Sequence, residues 1–254
     1  MRRDDAFTRT YGVAPQWLSG LASTALVLVL ALAVGLIRPD TRPAVRRLLT
    51  NETGPVELAT FASFIVCALL ASRLALEARG RDGARSVALV FALCAAAAGL
   101  AGMEEISWGQ SLFDFPTPEW LNEINAQGET NLHNLDLVTD LSSASVLVMA
   151  LAGLVATRFA RRGRGACFVV PSALWPLFAM IAAMGTVETV NDLGWLDVTA
   201  AGIVGALSEA AELLLAIAFL VVAWLNRRRL HREWWGAADA DPVADPIDHD
   251  RTAA

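Results

Sequence analysis

The apolar residues of this chain are gathered into six long blocks, and short polar segments separate the blocks. The blocks are residues 17–37, 56–76, 86–103, 141–159, 168–187 and 200–225. Each is close to the roughly 20 apolar residues that a helix needs to cross a hydrocarbon core about 30 Å thick. Lipid offers no partner to an exposed backbone group, so apolar blocks of this length favour helices. The pattern predicts an all-α fold, a polytopic membrane helix bundle with about six transmembrane helices.

Individual residues refine this prediction. The third helix is expected to continue through Glu104 and Glu105, and Pro171 and Pro176 are expected to bend the fifth helix. The loop at 38–55 carries arginines at a spacing that predicts a helical turn at the membrane interface.

The composition is typical of a membrane protein, and it distinguishes the C-terminal residues 236–254 from the rest of the chain. Hydrophobic residues make up 55% of the chain, and the mean hydropathy is +0.47, which together exclude a single soluble domain. Residues 236–254 are acidic, contain proline and have few large apolar groups. We therefore predict a helical transmembrane domain at 1–235 and a disordered acidic cytoplasmic tail at 236–254.

The distribution of arginine predicts the orientation. The net charge of −6 conceals basic loops after the second and fourth helices and a basic flank after the sixth. Short basic loops stay in the cytoplasm. The four arginines of the loop at 38–55 oppose this rule, but the other five flanks agree with it. We expect the protein in the bacterial cytoplasmic (inner) membrane with both termini in the cytoplasm. The lipid bilayer is its expected partner, and no binding of nucleic acid is expected.

The most polar part of the chain lies between the third and fourth helices. Residues 103–140 contain eight carboxylates and one histidine, without any lysine or arginine. With the predicted topology, acids from several helices converge on the same extracytoplasmic face. The members of this predicted cluster are Glu57, Glu104, Glu105, Glu129, His133, Asp136, Asp140, Glu188, Asp192, Glu209 and Glu212.

Glu209 and Glu212 carry most of this argument because they lie about 10 to 15 Å inside the sixth helix. An unpaired ionised carboxylate there costs about 2.5 to 3.5 kcal/mol. The two side chains must therefore face the interior of the bundle, share protons, bind a cation or line a water-filled cavity. The alternative is a structural role in which neutral carboxyls accept and donate ordinary hydrogen bonds.

Spacing supports two further polar groups. Glu129, His133, Asp136 and Asp140 would share one face of a helix, although a solvated helix explains the two aspartates better and explains Glu129 with His133 equally well. Glu188 and Asp192 form a second group one turn apart. Glu104 with Ser107 and Ser111 is expected to make a continuous polar strip on a helix, and Gln110 could reach either side of it.

The ligand chemistry of these residues predicts a divalent metal ion of unknown identity. We expect Glu105, Glu129, His133 and Glu209 as its ligands, because carboxylate and imidazole suit hard or borderline ions. Glu104 or Glu212 would then carry protons. The arginines of the loop at 38–55, folded over the acids, or protonation of several carboxyls would also offset the negative charge.

Two stretches resemble a recurrent signature of uncharacterised bacterial multi-pass membrane proteins. They are NETGPVELAT at 51–60 and EEISWGQSLFDFPTPEWLNEINAQGETNLHNL at 104–135. The resemblance implies a shared architecture and a shared polar site. The residues that it groups are Glu57, Glu104, Glu105, Ser107, Gln110, Glu129, Asn131 and His133.

Three functions fit this sequence, in the following order. The first is a metal-dependent hydrolase or transferase that acts on a lipid or lipid-linked substrate at the membrane surface. The second is a non-catalytic partner or sensor protein, whose protein partners the sequence does not identify. The third is a cation or proton transporter, which the apolar inner halves of the helices disfavour.

Overall fold

A computed structural model describes residues 3–51, 54–125, 128, 130–131, 139–159 and 167–235. All regular elements in these ranges are helices, so the all-α prediction is confirmed. The ten α-helices are α1 (Arg3–Tyr11), α2 (Pro15–Ile37), α3 (Arg42–Thr50), α4 (Pro55–Arg79), α5 (Arg85–Glu105), α6 (Gln110–Phe113), α7 (Glu119–Asn122), α8 (Thr139–Phe159), α9 (Trp175–Asp192) and α10 (Val198–Trp235). The predicted tail at 236–254 lies outside the described residues.

Five of the described helices are long and apolar enough to cross a membrane, namely α2, α4, α5, α9 and α10. Their outer surfaces are apolar as well. Val27, Leu69 and Leu93 expose 65%, 64% and 63% of their surface, which suits contact with lipid rather than water. In α8, the stretch Ala144–Arg158 is apolar but shorter.

The fifth predicted block starts later than expected. Residues 168–171 are not helical, a short 3-10 turn follows at Ser172–Leu174, and α9 begins at Trp175. Pro176 lies in the first turn of α9, where proline needs no backbone partner and its fixed φ favours a helix start. The prediction that Pro171 and Pro176 bend this helix is therefore wrong, because both residues precede or begin it.

The long helix α10 connects the bundle. It packs against α4 and α9 and also contacts α1, α2, α3 and α8. Two antiparallel pairs, α4 with α5 and α8 with α9, pack beside it. The second pair is close because Gly153 of α8 faces the ring of Phe178, and a Cβ at this position would clash with the ring.

The last turns of α10 hold neighbouring segments through side-chain hydrogen bonds. Asn226 is fully buried; its Nδ2 donates to the Val169 carbonyl at 2.7 Å, and its Oδ1 accepts from the Val169 N–H at 2.9 Å. Arg228 donates to the Tyr11 carbonyl at 2.8 Å. At the same end, Glu77 of α4 lies 3.0 Å from His231 and 3.4 Å from Arg227. We call this the arginine end of the bundle.

Replacing Asn226 by alanine should destabilise the protein. The change removes both bonds to Val169 and leaves a buried N–H and a buried carbonyl without these partners, which together cost about 2 to 4 kcal/mol. The free energy of unfolding in detergent micelles measures the effect. Thr10→Ala is the control, because Thr10 only bonds a carbonyl of its own exposed helix. Equal stability of the two variants would contradict this role of Asn226.

Candidate functional site

Five glutamates from four helices meet at the end of the bundle opposite the arginines. Glu57 lies in the first turn of α4 and Glu105 is the last residue of α5. Glu188 lies one turn before the end of α9, and Glu209 and Glu212 lie inside α10. We call these five residues the carboxylate cluster, and this end of the bundle the acidic end.

Glu212 stands at the centre of the carboxylate cluster. It is close enough to the other four members, Glu57, Glu105, Glu188 and Glu209, for their charges to interact directly with its own. Glu105 interacts in the same way with Glu209 and with its sequence neighbour Glu104. The structure thus turns Glu209 and Glu212 toward the acids of α4, α5 and α9, in the interior of the bundle and not toward lipid.

Glu188 forms the α9 side of the cluster. One of its oxygens, Oε2, is buried and has no hydrogen-bond partner among the described residues. Ser208 lies beside Glu188, but the Ser208 hydroxyl donates to the Gly205 carbonyl at 2.7 Å. Asp192 is an electrostatic neighbour of Glu188. This side of the site therefore concentrates negative charge and supplies few donors to offset it.

Two arginines of the segment at 38–50, which joins α2 to the end of α3 and which we call the α2–α3 corner, have partners outside the carboxylate cluster. Arg38 forms a salt bridge of 2.7 Å with Asp40, and this guanidinium holds the pKa of the Asp40 carboxyl below its usual range. Arg42 donates to the Leu36 carbonyl at 2.7 Å. Of the arginines that the structure describes, none forms a salt bridge with Glu105, Glu188 or Glu212. Of the three ways to offset the negative charge, pairing with arginines is therefore not seen at these three acids.

The α2–α3 corner instead contributes apolar cover. Leu36 and Leu49 are buried against Ala206 and Ala210 of α10. These alanines flank Glu209 in sequence, so the corner lies over the α10 segment that carries it. Such cover contributes to the partial burial of Glu209, which strengthens its interactions with neighbouring charges.

The backbone turns sharply directly after Glu105. Ser107 and Trp108 have φ of 46° and 56°, and Gly109 has φ of 95°. Positive φ is unfavourable for residues with a Cβ, so neighbouring contacts must hold this turn. The buried Ser107 hydroxyl accepts a hydrogen bond of 3.0 Å from Asn131 Nδ2, and Asn125 Nδ2 in turn donates to the Asn131 carbonyl at 3.0 Å.

This turn overturns one prediction and separates two adjacent acids. The helix ends at Glu105, so the predicted helical strip of Glu104, Ser107 and Ser111 does not form. The Trp108 indole N–H donates to Glu104 at 2.6 Å. Glu105 therefore joins the carboxylate cluster, while Glu104 is held by Trp108 at its side.

Gln110 forms hydrogen bonds that hold the loop after α5 together. Its Nε2 donates to the Thr117 hydroxyl at 2.8 Å, and its Oε1 accepts from the Thr130 N–H at 2.6 Å. The Thr117 hydroxyl donates to the Gly128 carbonyl at 2.6 Å. Gln110 thus joins two distant parts of the loop. Sequence analysis missed Thr117 and Asn125, because contacts between loop residues follow no helical or strand spacing.

Several predicted residues lie outside the described ranges. These are Glu129, His133 and Asp136, and the side chain of Asp140 is not described either. Of the four predicted metal ligands, the described pair Glu105 and Glu209 are electrostatic neighbours. Across the described residues, no group of three or more histidines, cysteines and acids is arranged to hold a metal ion.

Comparison with known proteins adds no functional assignment. No protein-family model, curated protein or solved structure matches this chain. The case for a function therefore depends on the site itself.

Replacing Gln110 by alanine should loosen the loop without disturbing the helices. Because its carboxamide oxygen accepts from the Thr130 N–H, loss of this bond should speed hydrogen exchange of the Thr130 amide about tenfold, the equivalent of about 1.4 kcal/mol. Exchange resolved at single amides measures the effect. Gln16→Ala, on the exposed surface of α2, is the control. Unchanged exchange at Thr130 would show that the bond does not order the loop.

Proposed function

We propose that this chain is a multi-pass protein of the bacterial cytoplasmic membrane whose carboxylate cluster binds a cation on the extracytoplasmic side. We further propose that it uses a divalent cation as a hydrolase or transferase acting on a lipid or lipid-linked substrate. The observation that carries the proposal is the convergence of five glutamates from four helices around Glu212. The likeness to the bacterial membrane proteins with the EEISWGQ signature belongs to the same proposal.

The proposed topology has six spans and both termini in the cytoplasm. The five long apolar helices supply five spans, and α8, a helix of 21 residues, supplies the sixth. Arginines crowd the end of α4, the start of α5 and the last turns of α10. Basic flanks of this kind stay in the cytoplasm, which directs the carboxylate cluster outward.

Labelling of single cysteines tests this topology. Starting from a chain without Cys67, Cys94 and Cys167, Asp197→Cys precedes α10 at the acidic end, and Asp82→Cys lies between α4 and α5 at the arginine end. Both positions are exposed. A membrane-impermeant maleimide added to intact spheroplasts should label position 197 at once and position 82 only after permeabilisation. The reverse pattern would overturn the orientation.

A cation explains how the carboxylate cluster can be stable. Like charges at close range in a partly buried site disfavour full ionisation of all five glutamates. Described arginines do not pair with Glu105, Glu188 or Glu212, so protons or a metal ion must supply the positive charge. Carboxylate oxygens are the preferred ligands of hard divalent ions.

The proposed roles follow from position. Glu105 and Glu209 would hold the ion together with Glu129 and His133. Glu212 would transfer protons, because it interacts electrostatically with all the other members of the cluster. Glu104 is less suited to this role because it is already bound by Trp108. A bound divalent ion would supply an activated water molecule. The site lies at the end of the apolar spans, where the headgroup of a lipid-linked substrate would be found.

Transport is supported less well by the same geometry. Residues 213–225 of α10 are apolar throughout, so this helix does not extend the polar site toward the arginine end. A conduction path needs polar groups or water along its length. We therefore place the enzyme before the transporter.

Binding of Mn²⁺ to purified full-length protein tests the proposal. Glu105→Gln and Glu212→Gln should each weaken Mn²⁺ binding at least about tenfold, or about 1.4 kcal/mol, because each removes a negative charge from the cluster. Isothermal titration measures the affinity. Release of headgroup from defined phospholipid vesicles, measured in parallel, should require the metal and should be lost in His133→Ala.

The matched control is Glu123→Gln, an exposed acid of the same loop. It removes the same charge from the same side of the protein without touching the carboxylate cluster. Absence of Mn²⁺ binding by the wild-type protein, or equal affinity in all three glutamate variants, would refute the cation site. Metal binding without any lipid turnover would refute the enzyme and leave the sensor.

A further inference from the structure

A groove of about 730 Å³ runs between α4 and α5 at the arginine end. It lies far from the carboxylate cluster along both helices. Small and apolar side chains make up most of its lining, among them Ala75, Ala88, Ala92, Ala95, Leu76 and Leu89. We call the lining alanines the floor of the groove. The volume exists because alanines leave space where larger residues would fill it.

The groove has the length of one lipid chain. Residues 85–96 of α5 that line it span about 16 Å at the rise of an α-helix. One leaflet of a bilayer has a hydrocarbon depth of about 15 Å, half of the roughly 30 Å core. The groove is open, and the adjacent Leu76 and Leu89 expose 65% and 62% of their surface. Its apolar part therefore faces the acyl region of a bilayer.

Two arginines stand at the mouth of the groove. Arg79 is the last residue of α4, and Arg85 is the first residue of α5. Both are exposed, and neither has a hydrogen bond or salt bridge to another described residue. The short turn between them places both guanidinium groups at one end of the groove, where a phosphate would receive donors from two sides.

The neighbouring arginines differ from this pair. Arg73 forms a salt bridge of 3.3 Å with Glu77, and Arg81 lies over the Trp234 ring at 4.8 Å. Asp82 is the only acid within the turn between α4 and α5. The mouth of the groove is therefore positively charged, and Arg79 and Arg85 form no salt bridge within the described protein.

We propose that the α4–α5 groove binds an anionic phospholipid of the leaflet at the arginine end. One acyl chain lies along the alanine floor, and the headgroup phosphate sits between Arg79 and Arg85. A zwitterionic lipid would place a choline cation near the same arginines and would lose the charge complementarity. The site is independent of the carboxylate cluster and of its chemistry.

Native mass spectrometry of the full-length protein in detergent tests this proposal. The probe is an equimolar mixture of dioleoyl phosphatidylglycerol and dioleoyl phosphatidylcholine. The wild-type protein should retain phosphatidylglycerol preferentially. In Arg79→Gln/Arg85→Gln this preference should fall about 10- to 30-fold, because the two arginines contribute comparable parts of the attraction to the anionic headgroup.

Two further variants separate the groove from general charge. Ala92→Phe should reduce retention of both lipids, because the ring fills the floor. Arg46→Gln/Arg47→Gln removes the same charge from exposed positions of α3 and should leave the preference unchanged.

Equal retention of the two lipids by the wild-type protein would overturn the proposal. So would an equal loss of preference in both double variants, or full retention of phosphatidylglycerol in Ala92→Phe. A dimer that forms in place of the lipid-bound monomer would show that a second copy covers the groove. Failure of Mn²⁺ binding would leave this result untouched, since the two sites share no residue.

Discussion

The cost of keeping carboxylates among apolar helices is the constraint on which this structure depends. An ionised acid in lipid is expensive, and a cluster of them repels itself. Glu209 and Glu212 interrupt an otherwise apolar face of α10, so that face has to turn toward other polar groups. The bundle places Glu57, Glu105 and Glu188 around Glu212, and because these neighbours are acids too, they increase the need for protons or a cation. Any cation that binds there stabilises the helix packing as well as the site.

Helix α10 connects the carboxylate cluster at the acidic end with the hydrogen bonds at the arginine end. It has 38 residues and so extends about 57 Å, well beyond a hydrocarbon core of about 30 Å. At the arginine end, its polar side chains donate hydrogen bonds to the backbone carbonyls of Tyr11 in α1 and of Val169 in the non-helical segment before α9. A change at the carboxylate cluster that shifts α10 along its axis would therefore alter the lengths of these hydrogen bonds.

Hydropathy and charge bias predicted much of this arrangement, because lipid imposes long apolar helices and groups the acids that enter them. They predicted five long apolar helices that the structure contains, and they placed Glu57, Glu188, Glu209 and Glu212 toward one end of the bundle. They failed at Pro176, where proline begins a helix instead of bending one. They also missed Glu77 and the bonds of Gln110, because these join residues far apart in sequence, and no local period records such contacts.

The loop after α5 determines which acid of an adjacent pair can act in the cluster. Glu104 and Glu105 are the last two residues of α5 and point about 100° apart on the helix. Had α5 continued, Ser107 would have followed Glu104 on one face. The positive φ of Ser107 and Trp108 ends that regularity. Trp108 then returns to bind Glu104, and Asn131 holds Ser107. The hydrogen bond from Asn131 to Ser107 thus helps to hold the unfavourable backbone of this turn, and the turn leaves Glu105 as the last helical residue before the loop.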